Sequence, residues 1–136
     1  MGAFLTQVIF ERSNHPSACS ANPTEELFLF SKTPNYYYDN QAVREETGAN
    51  LKNYWLLGPD SSGTPHPAVF PKELARRCIL LGTRPGDLIL DPFSGSGTTG
   101  LVAAELNRKA ILTELNKEYV AHAKTRYPKH LSLIHI

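Results

Sequence analysis

The feature that most constrains this chain is a glycine-rich turn between a short apolar strand and a helix. Residues 88–106 read LILDPFSGSGTTGLVAAEL, in which Gly95, Gly97 and Gly100 have the spacing G-x-G-x-x-G. Glycine allows a sharp turn and a close approach of the backbone to a ligand, and the helix start that follows presents free N–H groups. The three apolar residues before the turn are typical of a strand buried in a parallel sheet. The segment therefore predicts a strand, a ligand-binding turn and a helix.

The segments on either side of this turn continue the alternation of helix and strand. Pro71 begins a helical segment, KELARRCILLG, that ends at Gly82. Residues 109–115, KAILTEL, are typical of a strand, and Asn116 is the expected N-cap of another helix. The order strand, helix, strand, helix predicts a βαβα unit with parallel strands and a right-handed crossover. The predicted fold class is α/β, with a partial Rossmann-like sheet in a domain that spans residues 65–130.

Residues 1–64 lack this regularity and form the other expected domain. LTQVIF (5–10) and ELFLF (26–30) predict two strands, separated by Asn and Pro residues that are typical of turns. Aromatic residues of this domain could stack on nucleic-acid bases, although such residues are more often in a core; they are Tyr36, Tyr37, Tyr38, Tyr54 and Trp55. The prediction is an irregular, aromatic-rich N-terminal segment.

Length and charge place the chain among cytosolic globular proteins. It has 136 residues and a formal net charge of +1, and no apolar run approaches the length of a membrane-spanning helix. The N-terminus lacks the charged start and apolar core of a signal peptide, which predicts a cytoplasmic protein that does not contact a membrane. A near-neutral charge provides no basic surface for nucleic acid, which counts against DNA binding by this chain alone.

The two cysteines, Cys19 and Cys78, are too few and too far apart for a disulfide framework or a metal site. Both are expected to be reduced and structural, and no metal is expected. Cys78 has helical spacing from Leu74 and Leu81, so these three residues are the expected core face of their helix.

Two acidic residues at strand ends discriminate between ligands for the glycine-rich turn. Glu114 ends the strand after the turn, where an acidic residue can accept hydrogen bonds from ribose hydroxyls of NAD or of S-adenosylmethionine. Asp91 precedes the glycines, and a carboxylate there would repel a pyrophosphate but pair with an ammonium group. S-adenosylmethionine carries such a group and no phosphate. These residues favour it, and an NAD-dependent oxidoreductase fragment is the alternative.

Three segments resemble the DNA methyltransferases that act on N6 of adenine or N4 of cytosine. LDPFSGSGTTG is similar to their cofactor motif, and HPAVFP (66–71) resembles the segment before that motif in members with a permuted motif order. ELFLFSKTPNYYYD (26–39) resembles the family's segment that follows the catalytic region. The resemblance implies a site-specific enzyme of bacteria or phage that transfers a methyl group from S-adenosylmethionine to double-stranded DNA.

The resemblance also implies which residues bind S-adenosylmethionine. Those beside its methionine part are Asp91, Phe93, Gly95, Gly97, Thr98 and Thr99, while Glu114 would bind the ribose and His66 and Phe70 would lie near the amino-acid end. Function is expected for Glu114 because a carboxylate that ends an apolar strand is costly unless something pairs with it. Two positions depart from the family: Asn107, which tolerates a left-handed conformation, and Thr113, which is expected to crowd the adenine pocket.

The family's catalytic tetrapeptide, D/N/S-P-P followed by an aromatic residue, does not occur in this sequence. It accepts hydrogen bonds from the target amine and stacks on the flipped base. In the permuted order it would precede residue 1, so we expect an N-terminal catalytic half to be missing and assign no catalytic residue here. Residues 40–64 would be a partial target-recognition region. The alternative is a non-catalytic remnant, or a split subunit that binds cofactor or DNA.

The last six residues, LSLIHI (131–136), follow a charged helix end without an evident structural reason. The codons CTG TCT CTT ATA CAC ATC encode them and match the end of a transposon used in sequencing adaptors. We therefore expect a non-native tail with no part in the fold. A short tail that docks on a sheet edge is the alternative.

Overall fold

The computed structural model describes most of the chain, namely residues 6–12, 24–48, 52, 54–57, 71–126 and 132–135. The chain divides into two compact units, Met1–Pro59 and Asp60–Ile136. The expected domain boundary at residues 64 and 65 lies outside the described residues and stays a prediction, as does the placement of His66 and Phe70.

The first unit contains a three-stranded sheet and one helix. Its elements are β1 (Thr6–Arg12), β2 (Thr24–Leu29), α1 (Asn40–Thr47) and β3 (Tyr54–Leu57). β1 is central, antiparallel to β2 and parallel to β3. The two predicted strands are confirmed within one or two residues at each end, whereas α1 and β3 were not predicted.

Local hydrogen bonds explain why α1 begins and ends where it does. Asp39 is its N-cap, with Oδ1 accepting from the Ala42 N–H at 3.0 Å and Oδ2 accepting from the Tyr37 hydroxyl at 2.9 Å. These bonds lower the pKa of Asp39 below its ordinary value, the Ala42 contribution being the largest. At the other end Gly48 adopts φ 71°, and its N–H donates to the Arg44 carbonyl.

The first sheet has one buried and one exposed face. Along β3 buried and exposed residues alternate: Trp55 and Leu57 are 2% and 3% exposed, whereas Tyr54 and Leu56 are exposed. Phe28 pairs with Gln7 of β1, and Tyr54 pairs with Ile9. Residues two apart in a strand lie on the same face, so Phe28 lies on the exposed face with Tyr54. The expected core position is therefore confirmed for Trp55 and wrong for Tyr54.

The second unit alternates helices and strands throughout. Its elements are α2 (Lys72–Gly82), β4 (Leu88–Asp91), α3 (Thr98–Glu105), β5 (Lys109–Glu114), α4 (Lys117–Arg126) and β6 (Ser132–His135). The strands are parallel in the order β4-β5-β6. This confirms the predicted βαβα unit, including the adjacency of the strands on either side of the glycine-rich turn. No helix in the described ranges is long and apolar enough to cross a membrane.

The core of this unit lies between α2, α3 and one face of the sheet. Its buried members are Ala75, Ile79, Val102, Ala103, Ala110 and Leu112, with Ile89 and Leu106 packed against them. The expected core face of α2 is wrong at Cys78, which is exposed. Four apolar residues follow one another at positions 78–81, so periodicity alone did not identify the face that meets α3.

β4 is covered on one face only. Ile89 packs on the core, whereas Leu88 and Leu90 are 59% and 65% exposed. The expectation of a strand buried on both faces is therefore wrong for this chain. The apolar sequence is typical of a covered strand, but no described residue covers its second face.

The turn before β5 has the left-handed conformation expected at Asn107, with φ 60°. The next residue, Arg108, is 8% exposed and donates three hydrogen bonds. Its Nη2 bonds to the Thr83 carbonyl at 2.8 Å, its Nε to the Thr83 hydroxyl at 3.2 Å and its Nη1 to the Leu106 carbonyl at 2.6 Å. Arg108 thus ties the end of α2 to the start of β5.

The expectation that residues 131–136 have no part in the fold is wrong. Ser132–His135 form β6, which pairs in parallel with β5 from Ile111 to Glu114. The unpaired backbone groups along the edge of β5 provide the physical reason, because an open edge accepts any strand of suitable direction. The non-native origin of the segment stays a prediction.

Candidate functional site

The predicted site residues meet at the carboxyl ends of β4 and β5. Asp91 ends β4, Glu114 ends β5, and residues 92–97 form the turn that leads into α3. Ligands of open α/β sheets bind in the crevice outside these strand ends. The structure therefore brings Asp91, the glycines and Glu114 together, as the sequence predicts.

The start of the turn is fastened to β5 by Thr113. The Ser94 N–H and hydroxyl both donate to the Thr113 carbonyl, at 3.0 and 3.1 Å. In return the Thr113 hydroxyl donates to the Pro92 carbonyl at 2.7 Å. Thr113 thus stabilises the turn, a role that its sequence position did not indicate. Its expected effect on cofactor affinity stays a prediction.

Glu114 also holds the turn, by accepting two backbone hydrogen bonds. Its Oε2 accepts from the Gly95 N–H and its Oε1 from the Asn116 N–H, both at 2.8 Å. The chain itself thus supplies partners for this carboxylate, and the expected role of Glu114 in cofactor binding stays a prediction. Each carboxylate oxygen can accept a second bond, so hydroxyls of a ligand can still be accommodated.

Asp91 and Phe93 form the β4 side of the site. Asp91 is half-buried, and its Oδ1 accepts from the Phe93 N–H at 3.0 Å. The Phe93 side chain is 88% exposed. A large aromatic ring in water beside a carboxylate can pack against the apolar part of a ligand whose cationic part pairs with that carboxylate.

The start of α3 has polar groups without a hydrogen-bond partner. Gly95 and Gly97 have φ 52° and 81°, a backbone conformation that favours glycine. Thr98, the first helical residue, is 2% exposed, and its Oγ1 is buried without a hydrogen-bond partner. Among the described residues, no acceptor bonds the N–H of Thr98 or Thr99. A helix start of this kind suits an anionic group such as a carboxylate.

One residue of the site was not predicted. Arg126, the last residue of α4, reaches the turn with Nη1, which donates to the Ser96 carbonyl at 3.0 Å and to the Ser96 hydroxyl at 3.2 Å. No sequence signal identifies this contact, because a basic residue in the last turn of a helix is expected from the helix dipole alone.

The donor set is that of a site for an organic ligand. It consists of carboxylates, backbone N–H groups, a hydroxyl and an exposed aromatic ring. Within the described part of the chain, no three His, Cys, Asp or Glu residues cluster closely enough to hold a metal ion. The groups at the site suit a ligand that carries a cation, a carboxylate and hydroxyls.

Curated relatives of the chain are DNA methyltransferases. A model of the DNA methylase family, of N6 and N4 type, matches residues 3–125. The type II methyltransferase M.SmaI of Serratia marcescens is 40% identical over 131 residues, which cover 89% of this chain and 45% of that protein. M.Cfr9I of Citrobacter freundii is 40% identical over 129 residues, which cover 89% of this chain and 43% of that protein. The chain thus spans less than half the length of these relatives.

Solved structures give the same assignment. PvuII DNA methyltransferase, which is cytosine-N4-specific, matches with a TM-score of 0.80 at 29% identity, over 94% of this chain and 52% of that one. M1.HpyAVI in complex with SAM matches with a TM-score of 0.73 at 28% identity, over 92% of this chain and 63% of that one. These matches confirm the predicted α/β fold class. Together with the family match over residues 3–125, they establish that the chain belongs to the DNA methylase family.

Proposed function

We propose that this chain is the part of a DNA amino-methyltransferase that binds S-adenosylmethionine. The observation that carries the proposal is the turn between two acidic strand ends, with an unpaired buried hydroxyl at the start of α3. A related enzyme, M1.HpyAVI, has been solved with SAM. S-adenosylmethionine supplies an electrophilic methyl group on a sulfonium when bound.

The groups at the site correspond to the parts of this cofactor. Asp91 would pair with its ammonium group, and the free N–H groups of Thr98 and Thr99 would bind its carboxylate. Phe93, Gly95 and Gly97 would line the methionine part. Glu114 would accept the ribose hydroxyls with the lone pairs that its backbone bonds leave free. His66 and Phe70 remain proposed members of the site.

The same groups disfavour NAD. A pyrophosphate at the turn would lie close to the carboxylates of Asp91 and Glu114, and like charges repel strongly at short distance. Arg126, whose guanidinium reaches the turn, already donates to Ser96. An ammonium group and a single carboxylate fit this charge pattern better than two phosphates do.

The reaction proposed for the complete enzyme is methyl transfer to N6 of adenine or N4 of cytosine in double-stranded DNA. This chain would bind and orient the methyl donor. The tetrapeptide that accepts the hydrogen bonds of the target amine is absent from its sequence. The proposed partners are DNA and an N-terminal catalytic half, and the enzyme would work in the cytoplasm, where bacterial DNA is found.

Uncovered surfaces in both units support a missing half. In the second unit Leu88 and Leu90 are exposed on a parallel sheet, a type that is normally covered on both faces. In the first unit Phe28, Tyr54 and Leu56 are exposed on one face of the other sheet. Contiguous exposed apolar surface usually marks an interaction site. The relatives, of which the chain spans less than half, have enough additional residues to cover both.

Calorimetric titration of the chain with S-adenosylmethionine and with NAD tests the cofactor assignment. We expect saturable binding of S-adenosylmethionine and none of NAD, and tighter binding of NAD would overturn the proposal. Asp91→Asn keeps an acceptor for the Phe93 N–H but removes the charge, so it should weaken binding. Asp87→Asn is the matched control, because Asp87 precedes the opposite end of β4 and its carboxylate accepts from the Arg84 N–H, away from the turn.

A further inference from the structure

We propose that Arg126 is a positioning residue that holds the glycine-rich turn in its cofactor-binding conformation. The inference rests on the proposed binding of S-adenosylmethionine but concerns a residue outside the turn and the strand ends. Arg126 lies 30 positions after Ser96 and donates from a single nitrogen to both the carbonyl and the hydroxyl of that residue. The contact links the end of α4 to the last part of the turn.

The backbone around Ser96 cannot fix its own orientation. Ser96 lies between Gly95 and Gly97, both of which have positive φ. Glycine populates positive and negative φ with similar ease, so the peptide group between Ser96 and Gly97 can rotate at little local cost. Two hydrogen bonds prevent this rotation: Arg126 holds the carbonyl, and the N–H of the same peptide group donates to the Ser94 carbonyl at 2.7 Å.

Arg126 acts on a part of the turn that the other anchors do not reach. Thr113 bonds to Pro92 and Ser94, and Glu114 bonds to Gly95. Among the described residues, Arg126 supplies the side-chain bond to the Ser96 carbonyl, immediately before the start of α3. The free N–H groups proposed to bind the cofactor carboxylate follow two residues later.

Burial makes the contact with Arg126 hard to replace. Ser96 is 5% exposed, so water has little access to its carbonyl in this conformation. Without Arg126 this carbonyl would lack a partner, which is unfavourable, and the freedom of φ at Gly97 would let the peptide group rotate towards solvent instead. Loss of the Arg126 contact would therefore lower the fraction of molecules in the binding conformation. The apparent affinity for the cofactor falls in proportion to that fraction.

Hydrogen exchange of the unliganded chain tests the inference without relying on cofactor binding. In Arg126→Met we expect the Gly97 N–H, which bonds to Ser94, to exchange on the order of tenfold faster than in the wild type. Lys124→Met is the matched control, because Lys124 is an exposed basic residue in the same turn of α4. Unchanged protection of Gly97 in folded Arg126→Met would overturn the proposal.

Calorimetry with S-adenosylmethionine provides the second measurement. We expect Arg126→Met to weaken binding about tenfold, Arg126→Lys and Ser96→Ala to weaken it less, and millimolar guanidinium to recover part of the loss in Arg126→Met. Wild-type affinity in Arg126→Met would overturn the proposal, as would a loss that neither lysine nor guanidinium rescues. If Arg126→Met does not fold, Arg126→Lys and Ser96→Ala take its place. Faster exchange of the Gly97 N–H and weaker cofactor binding in these variants would support the proposal, and wild-type values of both would overturn it. If the wild type binds no cofactor, the proposed function fails while hydrogen exchange still decides the role of Arg126.

Discussion

Replacement of Glu114 tests whether its carboxylate is needed for cofactor binding. In the structure it accepts the N–H groups of Gly95 and Asn116 at 2.8 Å, and in the proposed complex it also accepts ribose hydroxyls. Glu114→Ala removes all of these bonds at once. Glu114→Gln retains one acceptor oxygen but presents an NH₂ group to the second N–H, so a pair of donors would face each other.

The magnitude follows from the number and exposure of these bonds. A hydrogen bond to a charged group contributes about 1.5–3 kcal/mol when buried. Glu114 is half-buried, so water replaces part of what is lost. We therefore expect Glu114→Ala to weaken binding of S-adenosylmethionine by about 1–3 kcal/mol, or roughly 5- to 150-fold, and Glu114→Gln to recover little of it.

Calorimetric titration measures the affinity, and urea denaturation of the same samples measures the free energy of unfolding. Glu105→Ala is the matched control, because Glu105 is a carboxylate at the far end of α3 whose ion pairs with Lys72 and Arg76 lie on the surface. Wild-type affinity in Glu114→Ala would refute the reasoning. Wild-type affinity in Glu114→Gln would show that the charge and the second acceptor are both dispensable.

Four further predictions follow from other contacts. Because the pKa of Asp39 is lowered, its contribution to stability is present above its ordinary value of 3.8 and is lost as pH falls below it; Asp39→Asn should remove this pH dependence in acid titrations followed by circular dichroism. Arg108→Met should lower the free energy of unfolding by about 1–3 kcal/mol in urea, since it leaves the part-buried carbonyls of Thr83 and Leu106 without this donor. Although Cys78 as a residue is exposed, desolvation by the atoms around it raises the pKa of its thiol to about 11, so alkylation at pH 8 should be slower than for free cysteine, and equal rates would contradict this. Leu90→Lys should change the stability of the isolated chain by less than about 0.5 kcal/mol, because Leu90 is exposed. We expect the wild-type chain to co-purify with the part of M.SmaI that its match does not cover, and Leu90→Lys to abolish this.

The sequence predicted those parts of the molecule that depend on local chemistry. From α2 to α4 the second unit has clear periodicity and clear turn residues, so these helices, strands and the turn were identified, including the left-handed Asn107; β6 was not. Asp91 and Glu114 were placed correctly because parallel strands bring their carboxyl ends to one edge of a sheet. The helix after Asp39 was missed, although the side chain of Asp39 is a good N-cap, because the polar sequence that follows has no clear apolar stripe.

The remaining errors concern contacts between residues distant in sequence. The pattern around Cys78 is equally compatible with two faces of α2, and only packing against α3 selects between them. Leu88 and Leu90 have the composition of a covered strand, but none of the described residues covers them. The contact of Arg126 with Ser96 spans 30 positions and involves a backbone carbonyl, which no residue type at position 96 could reveal.

Each contact that shapes the turn lies within the second unit. Thr113, Glu114 and Arg126 all belong to Asp60–Ile136, as do the turn and the start of α3. The described geometry of the proposed cofactor site therefore involves no residue of the proposed catalytic half, although such a half would cover Leu88 and Leu90. Binding of the methyl donor and methyl transfer should then be separable. The chain would bind S-adenosylmethionine without methylating DNA, because nothing in its sequence provides the tetrapeptide that accepts the target amine.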